Sequence, residues 1–425
     1  MRSPIPLRRR SVWWLLLPAV PLLVIVAQLS PLLMAPPQWW TWTVSRSVLL
    51  ILIPAAVGAT GAALEASRLR ARRLENPLVT RGAPAVLAVA LWPPLLCAVA
   101  MQLLAVAIVA LTGGGTDGDV PWPILGTIAA MLFFHTCFGF ALGSLLRPVF
   151  GIPVALAGSY AWLGFTGTMP TFELRHLAGL VIETCCTYDQ QPIAASLLAA
   201  TLFSVLAGVG LLVLACTALR IARGRTVLAG AAGAALIASG LGTGLLVATG
   251  LPPSAAEPRD PHALVCTTDD VTVCLFPEQA DAGIRSLVAD MLARVRSDGV
   301  DLPALVAASD SSTYDPDRVR LTLQSDMSEA QIALSMATDL PEPRCLRDAV
   351  TTAARRDTDR SAAVLWLQAA MLGAAPSRDA QEGVDEPVAM TLRRVLDQPR
   401  ADQVAWINTT IESLRDCSVA PPVTP

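Results

Sequence analysis

The chain has 425 residues, 53% of them hydrophobic and only 15% charged, outside the range of an ordinary soluble globular protein. Its formal charge of −3 conceals a division: residues 1–255 carry 15 arginines against 7 acidic residues, a net of +8, and residues 256–425 carry 16 against 27, a net of −11. All 31 basic residues are arginine, which excludes the phosphate-binding lysine of a G-x-x-x-x-G-K-[ST] loop, and the acidic C-terminal part argues against nucleic acid as a partner.

Seven apolar stretches fill the first 252 residues, at 13–34, 48–66, 84–111, 124–146, 151–169, 195–219 and 227–251. A hydrocarbon core about 30 Å thick needs roughly 20 helical residues to cross it, and each stretch nears or exceeds that length. The expected fold class is an α-helical multi-pass membrane domain of seven transmembrane helices (1–252). A Pro-rich linker (253–261) and a mostly helical α+β extracytoplasmic domain (262–425) follow. The first stretch is too long for the apolar core of a signal peptide and lacks an A-x-A-like site, so it is read as an anchor.

Orientation follows from the arginines beside the spans. Arg2, Arg8, Arg9, Arg10, Arg68, Arg70, Arg72, Arg73, Arg81, Arg147, Arg220, Arg223 and Arg225 lie on one side, and only Arg46 and Arg175 on the other. The N-terminus is therefore expected in the cytoplasm, and after seven crossings the C-terminal domain lies outside a lipid bilayer.

Inside the spans, Gly139 with Gly143 and Gly240 with Gly244 form small-x-x-x-small pairs. Such pairs let helices approach closely, usually within one chain, with a homodimer as the alternative use. Pro93-Pro94 is expected to break or kink the third span. His135 and Gln102 are the intramembrane polar groups. A lone histidine among Phe133, Phe134 and Phe138 is better read as hydrogen-bonded packing than as a proton relay, since no acidic partner lies at that depth. Glu65 sits at the end of its span, close to water.

The second span runs into Glu65, Arg68, Arg70, Arg72 and Arg73, then Asn76-Pro77 and Arg81; the fourth and fifth read Gly139-Phe140-Ala141-Leu142-Gly143 and Arg147-Pro148, then Pro153 and Ser159-Tyr160-Ala161-Trp162. Over about residues 10–250 this resembles actinobacterial ABC-2-type permease-like membrane proteins, including a subset with an extracytoplasmic C-terminal domain. The resemblance implies a non-catalytic membrane subunit of an ABC-type export or self-protection system, whose outer domain binds or gates substrate. It also implies a separate ATPase subunit docked on the segment holding Glu65, Arg68, Arg70, Arg72, Arg73 and Arg81. The same arginines could serve only to set topology. The chain departs from the family's common six spans by a seventh that exports its C-terminus. A membrane-anchored sensor or envelope-binding protein without transport activity is the alternative.

Cys97, Cys137 and Cys216 lie inside spans and read as packing residues. Cys185, Cys186, Cys266, Cys274, Cys345 and Cys417 all fall on the predicted outer side, an even number in a disulfide-permissive compartment. A hairpin would set Cys266 opposite Cys274, leaving Cys345 and Cys417 to close a longer loop. A bridge between the adjacent Cys185 and Cys186 is strained, so these are expected to pair elsewhere or stay reduced. A zinc site is disfavoured for want of C-x-x-C spacing.

In the outer domain, 264–275 reads as a hairpin and 277–295 as an amphipathic helix with Ile284, Leu287, Val288, Met291, Leu292 and Val295 on one face. A strand is expected at 319–323. Ser328 with Gln331 forms a capping box opening a helix, and further helices are expected at 344–354, 360–372 and 400–415. The domain has one histidine, no H-E-x-x-H and no G-x-S-x-G. An active metallopeptidase-like module is therefore disfavoured. The acidic pairs Asp269-Asp270 and Asp385-Glu386 read as turns and solvated surface. No catalytic, metal or cofactor-binding residue is assigned, no cofactor is expected, and the chain is not expected to be an enzyme.

Overall fold

The computed structural model describes residues 12–29, 39–75, 83–113, 118–219, 226–268, 272–279, 282–302, 305–307, 318–321, 327–340, 350–374, 385–416, 418–420 and 422. It divides into two compact units, Met1–Glu257 and Pro258–Pro425, with the boundary inside the predicted linker.

The first unit is built from apolar helices. The first, α1 (Val12–Leu29), has 18 residues. Next come α2 (Trp40–Ser47), a 3₁₀ turn at Val48–Leu50 and α3 (Leu52–Glu75), together forming a pair bent by 53°. The predicted span at 48–66 began at this break. Its missing first half, Trp-Thr-Trp-Thr-Val-Ser-Arg-Ser, is too polar for a hydropathy reading, yet Thr41, Thr43, Ser45 and Ser47 are all buried.

The next helix, α4 (Ala83–Gly113), runs for 31 residues with Pro93 and Pro94 inside it, so the two prolines do not break it. Only two ladder donors are lost, a cost that a long helix packed among neighbours absorbs. Then follow α5 (Trp122–Leu145), α6 (Pro148–Thr166), the short α7 (Phe172–Ala178), a 3₁₀ turn at Leu180–Thr184, β1 (Gln190–Pro192), α8 (Ala194–Ala218) and α9 (Thr226–Ala248). Among the described residues, five helices are long and apolar enough to cross a membrane, or six if the bent pair counts as one; the described part of α1 falls short of that length. The arrangement is compatible with a membrane protein.

Of the five long apolar helices, α5 is the most buried and packs between α3 and α8; α9 leans on α8 and is among the least buried of the five. The close approaches use the predicted glycine pairs within the chain. A Cβ on Gly139 or Gly143 would collide with the backbone of Ala59 or Ala63 on α3, and one on Gly240 would lie 3.0 Å from Leu206 Cβ on α8.

Beyond α9, β2 (Ala256–Pro258) pairs with β1. The second unit holds a four-stranded sheet in the order β3 (Val265–Thr268), β4 (Thr272–Leu275), β5 (Leu305–Ala307), β6 (Arg318–Arg320). The predicted hairpin forms, with Cys266 directly opposite Cys274, whereas β4–β5 and β5–β6 are parallel. Parallel neighbours need a crossover, and α10 (Ala282–Ser297) provides the one between β4 and β5, starting later than the predicted helix at 277–295 and ending two residues past it. Val288, Met291, Leu292 and Val295 of α10 enter a core shared with Ile332, Met336, Trp366, Leu392, Ile407 and Ile411. These come from α11 (Glu329–Asp339), α12 (Val350–Met371), α13 (Glu386–Leu396) and α14 (Arg400–Arg415).

The Ser328 capping box is present in both directions. One helix, α12, runs without interruption over 350–371 where two were predicted at 344–354 and 360–372; residues 344–349 lie outside the described residues. The intervening Arg-Arg-Asp-Thr-Asp looks like a polar interruption, but Arg356 and Asp359 are buried within the helix. The sequence pattern shows neither β5, a three-residue apolar run, nor α13; Asp385 and Glu386 are exposed as expected, but Asp385 precedes the helix and Glu386 opens it.

Candidate functional site

Among the described residues, buried polar side chains at several places in the helical unit hold together elements distant in sequence, and three of these stand out.

The first is where α3 ends against α5. Ser67 Oγ donates to Gly143 O at 3.4 Å, and Arg70 Nη1 donates to Leu145 O at 3.3 Å and Leu146 O at 2.9 Å. A helix ends with unsatisfied carbonyls and a partial negative charge, so a guanidinium there is favourable on both counts. Arg68 pairs with Glu65 at 3.2 Å, and Glu65 is buried rather than open to water as expected. Of the predicted partner-docking segment, Arg70 and Arg68 are thus engaged within the chain. The side chains of Arg72 and Arg73, and Arg81 altogether, lie outside the described residues.

The second is the apolar interior. His135 Nδ1 lies 2.9 Å from Ser159 Oγ, joining α5 to α6, and the His135 ring meets Phe134 edge-on at 5.1 Å. Phe134 belongs to an aromatic group with Phe138, Trp162 and Phe203. His135 has the surroundings of a packed, hydrogen-bonded residue. Gln102 Nε2 donates to both Ser47 O and Ser47 Oγ at 3.1 Å, tying α4 to the break after α2.

The third is a collar between α6 and α8 that sequence reasoning missed. Arg46 on α2 pairs with Glu183 at 3.3 Å and lies over the Trp42 ring. Burial raises the Glu183 carboxyl above its ordinary range, against the pull of Arg46. Trp39 Nε1 donates to Cys186 O at 3.0 Å, and its ring stacks on Tyr188. Contrary to expectation, Cys185 and Cys186 are bonded to each other.

The collar also fastens the chain leaving α9. His176, fully buried, lies 2.7 Å from Ser196 Oγ and 2.9 Å from Pro252 O. Ile193 N donates to Ala255 O at 2.9 Å, Ala255 N to Thr184 Oγ1 at 3.4 Å, and Gln191 Nε2 to Glu257 Oε1 at 3.1 Å. The only signals in sequence were a histidine beside Arg175 in a nominal loop and a Gln-Gln-Pro run, neither of which has a periodic pattern.

In the second unit, Cys266 and Cys274 form the disulfide their hairpin predicts, while Cys345 and Cys417 lie outside the described residues. Cys97, Cys137 and Cys216 are free thiols. Among the described residues, no group of three or more His, Cys, Asp or Glu is placed to hold a metal ion. Asp359 is buried, with Arg355 Nε 3.7 Å from its Oδ2. Burial lifts its carboxyl to about 6 despite Arg355 and Arg394.

A protein-family model described as a domain of unknown function, DUF7224, matches residues 273–417. The match opens within β4 and runs past α14, so it covers most of the second unit and none of the helical one. No curated protein and no solved structure matches the chain.

Proposed function

We propose that this chain is the membrane subunit of an ABC-type export or self-protection system, without catalytic residues of its own. It spans the bilayer seven times, with α1 and the bent α2–α3 pair as the first two crossings. The N-terminus is cytoplasmic and the acidic C-terminal unit extracytoplasmic. A separate ATPase docks at the arginine-rich end of α3, and the outer unit binds or gates the substrate.

The observation that carries this reading is the joint between α3 and α5. Arg70 and Ser67 tie the end of α3 to the last carbonyls of α5. In this reading a force applied to the basic segment passes from the end of α3 to the end of α5, a link that a subunit driven by an external motor requires.

The test is co-purification of the tagged full-length protein from its native membrane, followed by identification of the recovered proteins. An ATP-binding-cassette subunit should accompany it, and be lost when Arg72 and Arg73 are both replaced by glutamate. If no ATPase is recovered and the double replacement changes only topology, the transport reading fails. A sensor displayed by the helices is then the better account.

A further inference from the structure

Two of the long apolar helices, α5 and α6, are joined by only two extended residues, Leu146 and Arg147, and so meet at a tight corner. Every residue from Leu145 to Phe150 is exposed, and four of the six are large and apolar: Leu145, Leu146, Val149 at 77% and Phe150 at 61%. The exposed apolar face continues along α6 through Val154, Leu156 and Tyr160. At 1.5 Å per residue, Phe150 to Tyr160 covers about 15 Å, half the thickness of a hydrocarbon core.

Two guanidiniums are set into this apolar corner. Arg147 is exposed, and its side chain makes no hydrogen bond or ion pair among the described residues. Arg70 arrives from α3, where its Nη1 alone serves both Leu145 O and Leu146 O. Its Nε and Nη2 have no bond among the described residues. The Leu146 carbonyl that Arg70 holds belongs to the peptide leading into Arg147, so the two arginines share one corner. The nearest carboxylate along α3 with a described side chain is Glu65, which is buried and engaged by Arg68 at 3.2 Å. Among the described residues, no carboxylate pairs with Arg70 or Arg147.

Charge and surface together select the occupant. A phosphate meets guanidinium N–H groups through paired, charge-assisted hydrogen bonds. A free anion would leave Val149 and Phe150 in water, and a zwitterionic headgroup would bring a cation of its own beside the arginines. We infer that the α5–α6 corner binds an anionic phospholipid, with Arg147 and Arg70 on its phosphate and an acyl chain along the exposed face of α6. This rests on the reading of the helical unit as membrane-spanning, which sets the corner at headgroup level, and is independent of the ATPase.

The experiment is native mass spectrometry of the full-length protein in detergent, titrated with phosphatidylglycerol or with phosphatidylcholine of the same acyl chains. Phosphatidylglycerol should bind about fivefold tighter or more. Arg147→Gln removes an exposed side chain without a described partner, so the fold should stand. It should weaken phosphatidylglycerol about fivefold, or about 1 kcal/mol for one arginine at 1.4 kcal/mol per tenfold, and leave phosphatidylcholine unchanged. A large excess of inorganic phosphate should not displace the lipid.

Equal affinity for the two lipids overturns the inference, as does a phosphatidylglycerol preference that survives Arg147→Gln. Displacement by inorganic phosphate gives the site to a soluble anion and overturns it too. Extraction of native membranes with alkaline carbonate separates the two readings. Protein that washes off removes the membrane reading and this inference with it; protein that stays but shows no lipid preference removes this inference alone.

Discussion

His176 Nε2 lies 2.9 Å from the carbonyl oxygen of Pro252, so the chain leaving α9 is latched to the collar by a residue 76 positions earlier. A carbonyl can only accept, which places the proton on Nε2 and leaves Nδ1 to accept from Ser196 Oγ. His176→Phe keeps the volume but strands a buried hydroxyl and a carbonyl, a loss of about 1–3 kcal/mol. Limited proteolysis of the purified protein should then cut faster near 252–261 than in the native chain.

The same histidine makes the latch sensitive to pH. Burial lowers the His176 pKa below its usual 6.5, against the Pro252 hydrogen bond and Glu173, which raise it. A base with a depressed folded pKa stabilises the fold above its unfolded pKa, and that contribution fades as pH falls. Proteolysis at 252–261 should accelerate as pH drops below about 6.5 in the native protein. The pH dependence should be flatter in His176→Phe; an equally steep profile would assign it to another group.

Gly139 and Gly143 admit no side chain, because the Ala59 and Ala63 backbone occupies the place of a Cβ. Gly139→Leu should therefore disrupt the α3–α5 joint and give aggregated material in fluorescence-detected gel filtration. Gly139→Ala already forces α3 and α5 apart, since its Cβ would overlap Ala59 O, and should cost about 3 kcal/mol or more, beyond the usual range of overpacked cores. Gly242→Ala on α9 has nothing within 4 Å of its Cβ and serves as the neutral control.

Arg70→Ala removes two hydrogen bonds to the end of α5 and should lower stability in detergent by about 1–2 kcal/mol. Arg70→Lys keeps the charge without the guanidinium geometry and should recover only part of it. Full recovery by lysine would reduce the role of Arg70 to the helix dipole.

Asp359 gives an opposite pH signature in the C-terminal unit. Its folded pKa of about 6 lies above the ordinary 3.8, so its contribution is fully present below 3.8 and lost as pH rises through about 6. Asp359→Asn removes that loss. It should raise the stability of this unit at pH 7.5 by up to about 3 kcal/mol at 1.36 kcal/mol per unit, with little gain at pH 4. Thermal denaturation at the two pH values is the measurement, and equal effects at both would rule out the titration.

The amino-acid order alone determined the division into an apolar helical part and an acidic α+β part. It also placed the long helices near 84–111, 124–146, 195–219 and 227–251, the Cys266–Cys274 hairpin and the Ser328 cap. These depend on local quantities, namely hydropathy over one helix length, turn spacing and capping chemistry within three or four residues. Tertiary structure alone decided what depends on partners far along the chain. It buried the polar 40–47 helix, carried α12 through Arg356 and Asp359, placed β5 between two parallel neighbours, and joined His176 to Pro252. In each case a segment whose own pattern is weak or misleading is held by groups that only folding brings within reach.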